Sequence, residues 1–143
     1  AKTMEDSIWK HRYEDINAVE RYLERNGATI LKFFLHVSKK EQKERFLERI
    51  EMPEKNWKFS VADVKERGFW KDYMDAYEEM LEKTSTAWAP WYVIPADRKW
   101  YTRALVAEII NSTLESMNLS YPVLSKAQKA DLANARELLL AEE

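Results

Sequence analysis

The sequence predicts a helix-rich α/β fold, with about six helices and two parallel strands at about 29–37 and 91–96. Three observations predict it. Ile30, Leu31, Phe33, Phe34, Leu35 and Val37 form a nearly continuous apolar run, the pattern of a strand covered on both faces as in a parallel sheet. A second short apolar run, WYVIPA at 91–96, comes only after a long helical stretch. Strand, helical crossover and strand most simply give a parallel pair with a right-handed connection. Elsewhere apolar residues recur every three or four positions, the helical period.

Residues 1–12 are mixed and read as irregular chain or a fraying helix. Over 13–25, Tyr13, Ile16, Val19, Tyr22 and Leu23 fall on one helical face, and Asn26-Gly27 ends it, because glycine takes the left-handed conformation of a helix terminus. The first strand follows directly. Ser38 with Glu41 three residues on is a capping-box pattern. It opens a helix over 39–50 that should bury Phe46, Leu47 and Ile50, and Met52-Pro53 stops it. PEKNWK reads as a polar loop around one aromatic. Ser60, with Asp63 in the box position, caps a short helix. The segment 69–83 then places Phe69, Trp70, Tyr73, Met74, Tyr77, Met80 and Leu81 on one stripe, expected to be core. TSTAWAP is a loop, and the second strand ends near Pro95. A helix over 98–117 should turn Trp100, Tyr101, Leu105, Ile109 and Ile110 inward. Residues 118–125 read as a linker, and 126–142 as a C-terminal helix with Ala and Leu on its apolar side. Two buried-type strands make a poor sheet alone, and their open edges call for neighbours.

At 143 residues the chain has the length of a single domain, 1–143. With 23 Lys+Arg against 25 Asp+Glu the net charge is −2, which argues against binding nucleic acid through bulk charge. Any polyanion site must be a local patch. The absence of Cys removes disulfides, thiolate metal sites and Cys nucleophiles, and two histidines, His11 and His36, are too few for a His-rich metal centre. No apolar run reaches the ~20 residues of a membrane span, and the first residues carry no signal-peptide core; the chain reads as soluble and cytoplasmic, with no membrane partner. Only two glycines are present, and the glycine-rich turn of a mononucleotide-binding loop is not among them.

Arg45 and Arg49 are four apart and share a helix face beside the apolar stripe. Like charges at that spacing repel, and a guanidinium fork suits bidentate phosphate contact. Local pairing of Arg45 with Glu41 and Glu48 is the alternative. Lys55 and Lys58 flank Trp57, as a cationic loop over phosphates with a stacking surface or as a solvated loop pinned by a tryptophan. Asp97, Lys99 and Arg103 stand, with Arg98, where the second strand ends and a helix begins. Ligands of open α/β sheets bind beyond strand carboxyl ends and anions bind helix N-termini, but Asp97 also reads as an ordinary N-cap. His36 reads as a hydrogen-bonded core or edge residue.

The phrases RYEDINAVERYLERNGATILKFFLHVSKKEQKERFLERI, PEKNWKFSVADVKERGFWKDYMDAYEEML and TSTAWAPWYVIPADRKWYTR, followed by ALVAEII, together resemble the C-terminal half of the polyphosphate kinase 2 family, from about residue 9 to residue 110. The resemblance implies a P-loop kinase-like core related to thymidylate kinase. It implies phosphoryl transfer between inorganic polyphosphate and nucleoside mono- or diphosphates with Mg2+. It also implies a helical lid, here about 38–68, in which Arg45 and Arg49 are the lid arginines. Lys55 and Lys58 then lie beside the polyphosphate path, with Asp97, Lys99 and Arg103 near the strand end that faces the active site. The family's glycine-rich loop and its catalytic Asp and Arg lie upstream and are not found here. The chain is therefore expected to be a C-terminal fragment, inactive alone and prone to self-association as a homo-oligomer. The alternatives are the lid and core of a nucleoside monophosphate kinase, separable by testing ATP against polyphosphate as donor, and a non-catalytic helical interaction module.

Overall fold

Two five-residue strands, β1 (Lys32–His36) and β2 (Trp91–Pro95), pair in parallel in the computed structural model, which describes residues 6–142. Lys32 lies opposite Trp91, Phe34 opposite Val93 and His36 opposite Pro95. The Ala96 N–H donates to the His36 carbonyl at 2.9 Å, one step past the ladder. Both strands are shorter than their apolar runs, because each has one partner and the ladder ends where that partner does.

Helix α1 (Asp6–Arg25) enters β1 through Gly27, whose φ of +88° is the left-handed turn expected there. It begins earlier than the 13–25 expectation. Only the apolar period starts at Tyr13; the preceding described residues contain neither Gly nor Pro, so nothing breaks the helix. Helix α2 (Lys39–Glu51) follows β1. PEKNWK is not a loop but a 3-10 helix, Pro53–Lys58. Pro53 sits in its first turn, where a missing N–H costs nothing, and Asn56 Nδ2 donates to the Arg49 and Ile50 carbonyls at 2.8 Å each, closing the end of α2. Helix α3 (Val61–Glu66), capped by the Ser60 hydroxyl, leads through a 3-10 turn (Arg67–Phe69) into α4 (Trp70–Thr84). After β2 come α5 (Lys99–Ser116) and α6 (Lys126–Leu140). The chain divides into two units, 1–110 and 111–143. In the second, Ser125 and Gln128 form a reciprocal capping box at the start of α6. None of the described helices is long and apolar enough to cross a membrane.

The first unit is tied together at Lys32. Its ammonium lies 2.7 Å from the Glu20 carboxylate on α1, 2.6 Å from the Thr84 carbonyl at the end of α4, and 5.2 Å above the Trp91 ring on β2. Trp91 Nε1 donates to the Thr84 hydroxyl at 2.8 Å, and that hydroxyl donates to the Met80 carbonyl at 2.6 Å. Thr84 is fully buried with all its polar atoms satisfied, as burial requires. Phe34 and Tyr77 pack at 4.9 Å, laying α4 along β1.

Burial departs from what the apolar pattern suggests. Among the described residues the buried hydrophobics are Ala89, Ile94 and Ala96, all at or beside β2. Leu35 and Val93, expected to be covered on both strand faces, are 51% and 55% exposed. Phe69, Tyr73 and Tyr77 of the α4 stripe, Leu47 and Ile50 of α2, and Tyr101 and Ile110 of α5 are exposed too, and Trp100 reaches 67%. The cause is geometric: two strands ~4.8 Å apart make a platform too narrow to cover these faces.

Candidate functional site

The carboxyl ends of both strands and the first turns of α2 meet in one polar cluster. Ser38, extended at φ −68° and ψ 154°, is the N-cap of α2 and its hydroxyl accepts from the Glu41 N–H at 3.1 Å. A capping box would send the Glu41 carboxylate back to the Ser38 N–H. Instead Glu41 accepts from Arg45 Nε at 2.8 Å, and the Ser38 N–H donates to Asp97 Oδ1 at 2.7 Å, across 59 residues of sequence. Arg45 Nη2 donates to the Ala96 carbonyl at 2.7 Å and the Asp97 carbonyl at 3.2 Å. The Ser38 backbone N–H, then the Ser38 side chain, hold the Asp97 carboxyl below its ordinary range, with smaller help from Arg45 and His36. Arg98, not Asp97, supplies the carbonyl that starts α5, accepting from the Thr102 N–H at 3.0 Å. The Asp97 carboxylate thus caps α2, a helix from another part of the chain.

The sequence-predicted cations divide into two groups. Arg45 and Lys55 have carboxylate partners: Glu41 for the first and Glu48, at 2.5 Å, for the second. Glu48 is held below its usual range first by its hydrogen bond from Lys55 and by the Lys55 charge, then by Lys99 and Arg45, so Lys99 belongs to the same electrostatic neighbourhood. Among the described residues, Arg49 and Lys58 place their charged ends only over aromatic rings, Phe46 at 5.6 Å and Trp57 at 4.8 Å. Among the described residues neither has a carboxylate within ion-pair distance, and Arg103 likewise has none. Over 39–58 the chain carries seven Lys/Arg against five Glu, a local positive excess within a chain of net charge −2.

Sequence reasoning did not single out Gln42 or Arg67, and it read Trp70 only as part of the core stripe of α4. Arg67 Nη1 donates to Gln42 Oε1 at 2.7 Å, and both Lys39 and Arg67 sit about 6 Å from the Trp70 ring, at 5.9 and 5.8 Å. A cavity of about 310 Å³ opens between β1, α2 and α4, lined by Phe34, His36, Gln42, Arg67, Trp70 and Tyr77 among others. Nothing in local spacing marks the Gln42–Arg67 or Lys39–Trp70 contacts, because each joins segments 25 or more residues apart. Among the described residues no three His, Asp or Glu side chains converge on a point that could hold a metal ion.

A family model described as Polyphosphate kinase 2 matches residues 2–122. The chain is 56% identical over 136 residues to the uncharacterized protein in the chlN 3' region of Leptolyngbya boryana, covering 95% of this chain and all of that one. It is 51% identical over 134 residues to an ADP-polyphosphate phosphotransferase from Rhodopseudomonas palustris, covering 94% of this chain and 46% of that protein. The crystal structure of polyphosphate kinase 2 from Arthrobacter aurescens superposes with a TM-score of 0.81 at 41% identity, over 91% of this chain and 47% of that one. The chain thus spans about half the length of these two relatives, the Rhodopseudomonas palustris phosphotransferase and the Arthrobacter aurescens kinase.

Proposed function

The chain belongs to the polyphosphate kinase 2 family, and on that premise we propose that it forms the lid-bearing part of an enzyme moving phosphoryl groups between inorganic polyphosphate and a nucleoside mono- or diphosphate. Phosphoryl transfer is mostly positioning and charge stabilisation. The proposed lid, about 38–68, supplies the charge: Arg45 and Arg49 on α2, with Lys55 and Lys58 beside the phosphate path. Asp97, Lys99 and Arg103 line the strand end beneath. The observation that carries this reading is Arg49, a cation on the same helix face as Arg45 and without a carboxylate partner among the described residues. An unpaired guanidinium four residues from another is mildly unfavourable without an anion, and a phosphate group matches its planar fork in a bidentate contact.

The test is a hybrid. The matched portion of the Rhodopseudomonas palustris ADP-polyphosphate phosphotransferase is replaced by this chain, and nucleotide phosphorylation is followed with polyphosphate, Mg2+ and ADP or AMP. The hybrid is expected to turn over with polyphosphate and not with ATP as donor, whereas the chain alone is expected to give no turnover. A folded hybrid that is inert with polyphosphate would sink the proposal, and turnover by the chain alone would refute its need for residues elsewhere.

Self-association belongs to the same reading. Leu35, Val93 and Trp100 leave apolar surface open beside the sheet, and such surface drives association. Light scattering at micromolar concentration is expected to give a mass above the 17.0 kDa of one chain; a mass that stays monomeric across concentration would contradict it.

A further inference from the structure

Three hydrogen bonds join the first two turns of α2 to the residues just past β2. The Ser38 N–H donates to Asp97 Oδ1, and Arg45 Nη2 donates to the Ala96 and Asp97 carbonyls. Glu41 completes the set by holding Arg45 Nε, so Nε and Nη2 of the Arg45 fork are engaged by one carboxylate and two carbonyls. Its side chain is only 25% exposed. Arg49, one turn further along the same face, has none of these ties; among the described residues the Phe46 ring, at 5.6 Å, is what its charged end lies over.

Resting on the lid assignment above, we infer that Asp97 and Arg45 are positioning residues that latch the lid helix to the end of β2, and that Arg49 is the arginine that contacts phosphate. The latch works because each half supplies what the other lacks. The start of α2 has backbone N–H groups without intrahelical partners, and Asp97 places a carboxylate on the first of them. A negative group there is also favoured by the helix dipole. The residues past β2 present carbonyls with no ladder partner, and Arg45 fills two of them. On either side the Thr102 hydroxyl shares its single hydrogen between the Pro95 and Arg98 carbonyls, at 2.9 and 3.0 Å, and the Arg98 carbonyl also accepts from the Thr102 N–H. The whole 95–98 segment is thus pinned, and the direction of α2, hence the position of Arg49, is set by the strand end rather than by α2 itself.

Two measurements on the full chain test this. The first is amide hydrogen exchange over 38–45, which needs no phosphate ligand. Asp97→Ala is expected to speed exchange there tenfold or more while leaving α6 unchanged, and Asp97→Asn, which keeps an acceptor oxygen, is expected to restore most of the protection. Unchanged exchange in Asp97→Ala would overturn the latch. The second is inorganic polyphosphate affinity as a function of salt. Removing a cation that touches phosphate lowers the slope of log affinity against log salt by about 1, as counterion release requires. Arg49→Ala is expected to lower the slope, and Arg45→Ala to weaken binding with the slope kept. A slope that falls equally in both variants would make Arg45 a phosphate contact and overturn the division. Wild-type chain that binds no polyphosphate would defeat the functional reading and the assignment of Arg49 with it, while the exchange arm still decides the latch.

Discussion

Lys32→Met is expected to destabilise the protein by about 3–5 kcal/mol, the cost of breaking a buried ion pair by removing one partner. The Lys32 and Glu20 side chains are only 10% and 13% exposed. Taking away the ammonium leaves the Glu20 carboxylate mostly out of water without its cation, and the Thr84 carbonyl without its donor. Total stability for a domain of this size is ~5–15 kcal/mol, so the loss is a large share of it. The urea midpoint is expected to fall by roughly 2 M with the slope unchanged, since about the same surface is exposed on unfolding. The double variant Lys32→Met, Glu20→Met should recover most of the loss, because well-packed apolar groups often replace a buried pair at little net cost. A single-variant loss under about 1 kcal/mol would show that water reaches the pair and that the surface scale applies. The consequence reaches the site: Lys32 opens β1, and β1 delivers Ser38 and α2 to their place beside Asp97.

Local chemistry made much of this readable before any coordinates. Gly27 ending α1 and Ser38 opening α2 are short-range signals, and both hold. The two parallel strands follow from apolar runs separated by a helical crossover. What stayed hidden depends on contacts between distant segments. The capping-box pattern at Ser38 and Glu41 is present in sequence, yet only its hydroxyl half forms, because Asp97, 59 residues away, takes the other donor and frees Glu41 for Arg45. Local sequence carries no signal for the role of Lys32, because the Thr84 carbonyl it reaches belongs to a residue 52 positions on. Burial misled for a different reason. The run around Leu35 and the stripe around Tyr73 report what could be covered, whereas coverage depends on what lies opposite, and here that is a sheet of two strands. The resemblance to polyphosphate kinase 2 was legible because long phrases around α2, the 3-10 helix and β2 stand in one order, and the family model spans the same region.

Arg49→Ala is the second large effect, and it bears on the central claim that the α2 face handles phosphate. A hydrogen bond to a charged group contributes ~1.5–3 kcal/mol; at a solvent-accessible site the lower end applies, or about tenfold in affinity. Arg49→Lys should fall between wild type and alanine, keeping the charge but losing the planar fork. Neither change should move the urea midpoint appreciably, since among the described residues the charged end of Arg49 contacts only the Phe46 ring. The decisive measurement is therefore a calorimetric titration of inorganic polyphosphate into the chain and into Arg49→Ala, at low and at moderate salt. Saturable binding to the wild type is expected, weakening as salt screens it, with affinity about tenfold lower in the variant. Equal affinity for both proteins at low salt would contradict it.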